Sequence, residues 1–159
     1  MSEKILSLKA LKSITGKARR RGKRVVLANG CFDLLHIGHL RYLQSARRLG
    51  DLLIVAVNED GSVRRLKGPG RPLMKLSDRA ALVAALECVD YVTTFGGMTV
   101  GRVLRELKPD IHAKGGDYTP DTVPERKLVR GYGGKVAIAG GPKVQSTSRL
   151  IRRIGKLKY

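Results

Sequence analysis

Five short strand-like runs alternating with helical patterns predict an α/β fold, a Rossmann-like doubly wound parallel five-stranded sheet with helices on both faces. Two further observations agree. The runs Val25-Val26-Leu27-Ala28 and Leu52-Leu53-Ile54-Val55-Ala56-Val57 are apolar throughout, as strands covered on both faces are. The loops at Asn58, Phe95, Lys114 and Gly140 follow strands and open on the same edge as the loop after Ala28, where ligands of such sheets bind at the switch in strand order.

The elements follow in order. Ser7 to Arg21 reads as an amphipathic helix, with Leu8, Leu11, Ile14 and Ala18 at helical spacing and Gly22 ending it. The first strand spans about Arg24 to Ala28, and Leu40, Leu43, Ala46 and Leu49 mark a helix that stops at Gly50. After the second strand, Leu52 to Val57, comes the turn Asn58 to Ser62 and a short helical piece from Ser62 to Lys67. Lys67-Gly68-Pro69-Gly70-Arg71-Pro72 is a loop. Ser77 is expected to cap a helix over Asp78 to Glu87 with Leu82, Ala85 and Leu86 in the core. The remaining elements are the strand Tyr91 to Thr94, a helix over Thr99 to Leu107, the strand Ile111 to Lys114, a helical segment over Val123 to Arg130, the strand Lys135 to Ala139 and a last helix from Ser148.

The 159 residues fit a single domain, 1–159, without internal repeat or linker, in which residues 1–22 are expected to form a loosely attached N-terminal helix. The 42% apolar content supports a buried core, and no apolar run approaches the ~20 residues of a membrane span. Met1-Ser2-Glu3-Lys4 leads into a basic helical pattern instead of a signal-peptide core. Cys31 and Cys88 lack metal-type spacing, so reduced thiols and a cytoplasmic location are expected, with no metal site and no membrane partner.

A formal charge of +19 attracts polyanions: nucleotides, phosphorylated metabolites and nucleic acid all qualify. The basic clusters, Lys17 to Arg24 and Arg149, Arg152, Arg153, Lys156 and Lys158, read as solvated helix faces. With five Tyr, two Phe and no Trp, these clusters lack aromatics for base stacking, so nucleic acid is the weaker partner.

The stretch Asn29-Gly30-Cys31-Phe32-Asp33-Leu34-Leu35-His36-Ile37-Gly38-His39 runs from the first strand into a helix. It places two imidazoles and unpaired N–H groups at one helix N-terminus, an arrangement that suits a phosphate. His36 and His39 fall on the same side of the first turn, whereas His112 reads as a structural residue near a strand end. Lys67 and Arg71 sit on the Gly/Pro loop, suited to closing on phosphates or equally to a solvent-exposed basic loop. Lys114-Gly115-Gly116-Asp117-Tyr118 follows a strand; its glycines would keep side chains clear of a ligand, and Asp117 would accept from sugar hydroxyls. Ser146-Thr147-Ser148 supplies hydroxyls and N–H groups at another helix start.

These motifs resemble the cytidylyltransferase-like nucleotidyltransferases, whose His-x-Gly-His element binds a nucleotide triphosphate. Leu66-Lys67-Gly68 with Arg71-Pro72, Arg79 and Ala80, and above all Lys114 to Tyr118, are similar to bacterial heptose 1-phosphate adenylyltransferases. Ser146-Thr147-Ser148 resembles the family's Ser-Thr-Thr element, with Gln145 replacing a common glycine. Phe95-Gly96-Gly97-Met98-Thr99-Val100 departs from Phe-Glu-Glu-x-Thr-Pro in the heptose enzymes.

The resemblance implies that a sugar 1-phosphate attacks the α-phosphorus of ATP and releases pyrophosphate. His36, His39 and Lys67 would be catalytic. Asn29, Gly30, Cys31, Phe32, Gly38, Arg71, Arg79, Lys114, Gly115, Ser146, Thr147 and Ser148 would bind nucleotide, and Asp33, Asn58, Gly116, Asp117 and Tyr118 the sugar phosphate. Mg²⁺ would bind through the nucleotide phosphates, and a homodimer is implied. With 28 residues ahead of Asn29, the heptose kinase of the same route is expected on a separate chain. CTP with glycerol 3-phosphate, and a non-catalytic nucleic-acid module, stand as alternatives. A class I aminoacyl-tRNA synthetase shares the His-Ile-Gly-His string, but its Lys-Met-Ser-Lys-Ser element is absent.

Overall fold

The computed structural model describes residues 3–142 and 145–157; Lys158 of the basic tail lies outside the described residues. The strands are β1 (Val25–Gly30), β2 (Leu52–Asn58), β3 (Tyr91–Phe95), β4 (Ile111–Gly115) and β5 (Lys135–Ala139). They form one sheet in the order β3-β2-β1-β4-β5 with every pairing parallel, so the Rossmann-like α/β expectation holds. The helices are α1 (Leu8–Arg20), α2 (Ile37–Arg47), α3 (Asp60–Lys67), α4 (Leu76–Ala84), α5 (Gly101–Leu107), α6 (Arg126–Gly131) and α7 (Thr147–Ile154).

Alternation along each strand builds two cores. Val26 and Ala28 of β1 and Leu53, Val55 and Val57 of β2 pack with Tyr42, Leu43 and Ala46 of α2 and Ala80, Val83 and Ala84 of α4. Val25, Leu27, Ile54 and Ala56 point the other way, onto Leu11 and Ala18 of α1, Val103, Leu104 and Leu107 of α5 and Val129 of α6. Both faces of the central strands are therefore dry, which is why their sequences are unbroken apolar runs.

The first helix is no loose arm. Leu11, Thr15 and Ala18 are buried, and the chain ahead of it pairs with β3 through Leu6 N–H to Val92 O and Val92 N–H to Lys4 O. The expected helix over Asp78 to Glu87 also needs correction. It starts at Leu76, the Ser77 hydroxyl bonds the Asp78 carboxylate, and the buried face is Arg79, Ala80, Val83 and Ala84 while Leu82 is 42% exposed. Arg79 and Val83, like Ala80 and Ala84, are four apart and so share one face, while Leu82 lies about 100° from Val83 and turns to solvent. α3 begins earlier than expected, with Asp60 favoured in its first turn, and ends at Lys67 as expected. α5 and α6 are shorter than their predicted spans.

Candidate active site

The chain runs from β1 outward to β3 and then crosses to β4, so the strand order switches between β1 and β4. Past the carboxyl ends of the strands at this point lies a cavity of about 420 Å³. Its walls come from the loop after β1, the start of α2, Asn58, the end of α3, the loops after β3, β4 and β5, and the start of α7.

The histidine loop is shaped by its own packing. Phe32, buried, adopts a left-handed φ of 49°, a conformation costing roughly 1 kcal/mol for a residue with a Cβ, and lays its ring edge-on to His39 at 5.2 Å. The His36 and His39 rings stack with centroids 3.8 Å apart. His36 occupies the N-cap of α2, and its Nδ1 accepts from Gly38 N–H at 3.1 Å, so in this arrangement Nδ1 carries no proton. Burial, and then the neighbouring His36, hold His39 well below its ordinary value, at about 4; the ring is neutral at pH 7. Gly38 answers to the same crowding: a Cβ there would sit 3.0 Å from the His36 ring and 3.3 Å from the Gln145 carbonyl. Thus the N-termini of α2 and α7 meet at this glycine. At α7, Ser146 caps the helix by accepting from Arg149 N–H, and Thr147 and Ser148 form its first turn on the cavity wall.

Across the switch, Lys114 is buried, its Nζ 3.5 Å from Asn29 Oδ1 and 4.6 Å from the Tyr118 ring centroid. Burial lowers the Lys114 pKa, with Glu125 opposing that shift, and burial raises that of Tyr118. Gly115 and Gly116 play different parts. A side chain at Gly115 would meet open space, whereas a Cβ at Gly116 would lie 2.4 Å from Gly141 O, so Gly116 is there to let two loops touch.

Most residues singled out from the sequence line this cavity, including His36, His39, Lys67, Asn29, Gly30, Cys31, Phe32, Gly38, Asn58, Asp117 and Tyr118. Three are otherwise engaged. Arg79 is fully buried and outside the cavity wall, its guanidinium donating to the carbonyls of Met74, Cys31 and Asn58 and to Asp60. The expected nucleotide contact is therefore corrected to a brace beneath the loops. Asp33 is 2% exposed and accepts from Leu73 and Met74 N–H through Oδ1. Its Oδ2 lies 2.6 Å from Arg71 Nε as an ion pair that is not aligned as a hydrogen bond, so Asp33, on the cavity wall, also organises the Arg71 loop. Cys31 directs its thiol at Asn58 Oδ1, and burial pushes its pKa up, which removes nucleophilic character at pH 7.

Sequence reasoning missed Tyr42, Pro124 and Glu125 on the cavity wall. Tyr42, outside the expected stripe of Leu40, Leu43, Ala46 and Leu49, donates its hydroxyl to Ala113 O at 2.8 Å. Glu125 is 7% exposed and accepts from Val100 N–H. It lay in a stretch read only as helical, with no spacing signal to single it out.

Comparison with known proteins places these motifs. A family model described as cytidylyltransferase-like matches residues 27–150. The bifunctional protein HldE of Syntrophotalea carbinolica is 52% identical over 151 residues, covering 95% of this chain and 31% of that protein. The HldE of Pseudomonas fluorescens is 45% identical over 152 residues, covering 96% and 32%. The chain thus spans about a third of the length of these curated relatives. Among solved structures, the lipopolysaccharide core biosynthesis protein of Thermoplasma volcanium aligns with a TM-score of 0.62 and 32% identity, covering 74% of this chain and 94% of that one. Pantoate-beta-alanine ligase of Francisella tularensis, complexed with beta-gamma ATP and beta-alanine, shares the fold at a TM-score of 0.59 and 14% identity, covering 91% and 68%.

Proposed function

The chain belongs to the cytidylyltransferase-like family, and from that membership we propose that it transfers AMP from ATP to heptose 1-phosphate, forming ADP-heptose for lipopolysaccharide or a related glycan and releasing pyrophosphate. The observation that carries this reading is the stacked His36–His39 pair on the α2 N-terminus, adjoining the α7 N-terminus around one cavity. The heptose assignment draws on the Lys114 to Tyr118 motif and on the likeness to HldE and to the lipopolysaccharide protein.

An oxygen of the sugar 1-phosphate attacks the α-phosphorus; that bond forms as the bond to the bridging oxygen of the β-phosphate breaks, and pyrophosphate departs with the electron pair. The nucleophile is already an anion at pH 7, so no general base is required. Catalysis rests on placement and on donors aimed at developing charge. His36, whose Nδ1 is an acceptor, presents Nε2–H, and neutral His39 joins it at the α- and β-phosphates. The N–H groups of Thr147 and Ser148 and the Lys67 ammonium hold the outer phosphates, with Arg71 supporting the loop. Asn29 and Lys114 complete the nucleotide side of the cavity, and Asn58, Gly116, Asp117 and Tyr118 receive the sugar phosphate. Among the described residues no three His, Cys, Asp or Glu side chains converge to hold a metal. A divalent cation, Mg²⁺ in this reading, fits as a ligand of the nucleotide phosphates, where it would neutralise charge. A homodimer acting in the cytoplasm completes the proposal. Among the described residues no helix is long and apolar enough to cross a membrane.

The test is pyrophosphate release from Mg-ATP or Mg-CTP with heptose 1-phosphate or glycerol 3-phosphate. ATP with heptose 1-phosphate should turn over, and His39→Ala should lose about 10²- to 10³-fold in kcat, the scale of one lost donor at a developing oxyanion. Turnover only of CTP with glycerol 3-phosphate would overturn the assignment.

A further inference from the structure

Alternate residues of a strand share a face, and Leu27 of β1 is in register with His112 of β4, so Asn29 stands beside His112 and Lys114 on the α1/α5/α6 face of the sheet. His112 is fully buried. Its Nε2 lies 3.0 Å from Asn29 Oδ1, and Lys114 Nζ approaches the same oxygen at 3.5 Å. An ammonium cannot accept, so the amide must turn its oxygen toward it. Facing that oxygen, the imidazole nitrogen must be the donor. Tautomer and amide orientation are thereby both determined. Asn29 lines the cavity, and its Nδ2 has no protein acceptor among the described residues.

We propose that His112 is a positioning residue for the transfer site: with Lys114 it grips the Asn29 oxygen and so aims the Asn29 NH₂ at a phosphoryl oxygen of the bound substrate. This deepens the proposed function and rests on it for the ligand. An apolar residue at this position would fill the space, but it would leave the amide held only by the longer Lys114 bond. The amide could then turn over and meet an anionic oxygen with its own carbonyl, replacing attraction by repulsion. Burial, and then the Lys114 charge, keep the ring at a pKa of about 3, so it remains a neutral donor throughout the working range.

The experiment compares wild type, His112→Phe, His112→Gln, Asn29→Ala and the Asn29→Ala/His112→Phe double variant. His112→Phe should lower kcat/KM about tenfold, the loss of one hydrogen bond to a charged group. His112→Gln, which keeps a donor, should recover most of that loss, and the double variant should be no worse than Asn29→Ala alone. Full activity in His112→Phe, or losses that multiply in the double variant, would overturn the proposal. Nitrogen-edited NMR of the wild type adds a readout independent of turnover. A ring protonated at Nε2 from pH 5 to 8, and an Asn29 side-chain amide that shifts when Mg-ATP or a sugar 1-phosphate is added, are expected. A ring protonated at Nδ1, or an amide that moves with neither ligand, overturns it. If wild type releases no pyrophosphate from any sugar 1-phosphate, the transfer reading fails while these spectra still decide the role of His112.

Discussion

Arg79 directs its guanidinium to three backbone carbonyls and the Asp60 carboxylate, from inside the protein. Those carbonyls belong to the loop after β1, the end of β2 and the segment before α4, so one side chain ties two walls of the cavity to the segment that leads into α4. Arg79→Ala would leave them without a donor in a dry site and should destabilise the fold by about 3 kcal/mol or more, read as a lower urea midpoint. Asp60→Asn should cost much less, since the Asp60 side chain is 40% exposed and water replaces it. From the sequence, an arginine near a phosphate loop fits either a clamp or a brace; only the position of the carbonyls distinguishes them. The buried imidazoles bear on pH. His39 and His112 are held at about 4 and about 3, below the ordinary histidine value of about 6.5. Below that ordinary value the unfolded chain binds protons the folded chain refuses, so stability should fall as pH drops from about 6.5 to about 4, by roughly 3 kcal/mol from His39 alone. Urea midpoints should be level above pH 7 and decline below 6.5, less steeply in His112→Gln; a level profile down to pH 4.5 contradicts the buried neutral rings.

At the scale of elements, α1 shows the limit of reading periodicity. Its apolar spacing predicts a helix, which forms over Leu8–Arg20, but periodicity does not say what the stripe covers. It covers β1, β2 and α5, with Leu11 wholly buried. Leu11→Ala should therefore cost about 2–5 kcal/mol, measurable by chemical denaturation; a change under about 0.5 kcal/mol would mean a peripheral helix. The loop after β3 gives a physical reading of its departure from the heptose pattern. A Cβ at Gly96 would lie 2.8 Å from Glu59 Oε2, so a glutamate there would press its own stem against an existing carboxylate. Glycine at 96 and glutamate at 59 suit one another, and the β2 and β3 ends close together through Glu59 N–H to Phe95 O. No single-sequence pattern could have coupled these two positions.

For the whole molecule, the charge of +19 acts on every element. Among the described residues the ion pairs are few, and most involve at least one well-exposed partner. Self-repulsion is therefore largely uncompensated within the chain. Raising sodium chloride from about 0.05 to about 0.5 M, which shortens the screening length to a few ångströms, should raise Tm. An unchanged or lower Tm would mean that the cations are spaced widely enough not to repel. The sequence by itself determined the parallel sheet, since strands dry on both faces must be apolar throughout, and it determined which loops line the cavity, since glycine and histidine at strand ends are local signals. The tertiary structure decided which way each polar side chain faces. It turned Arg79 inward, engaged Asp33 with the Arg71 loop, set the exposed face of α4 and brought His112 beneath Asn29. Those outcomes depend on partners from segments distant in sequence, and a hydrogen bond formed only when two strands meet leaves no periodic trace in either strand.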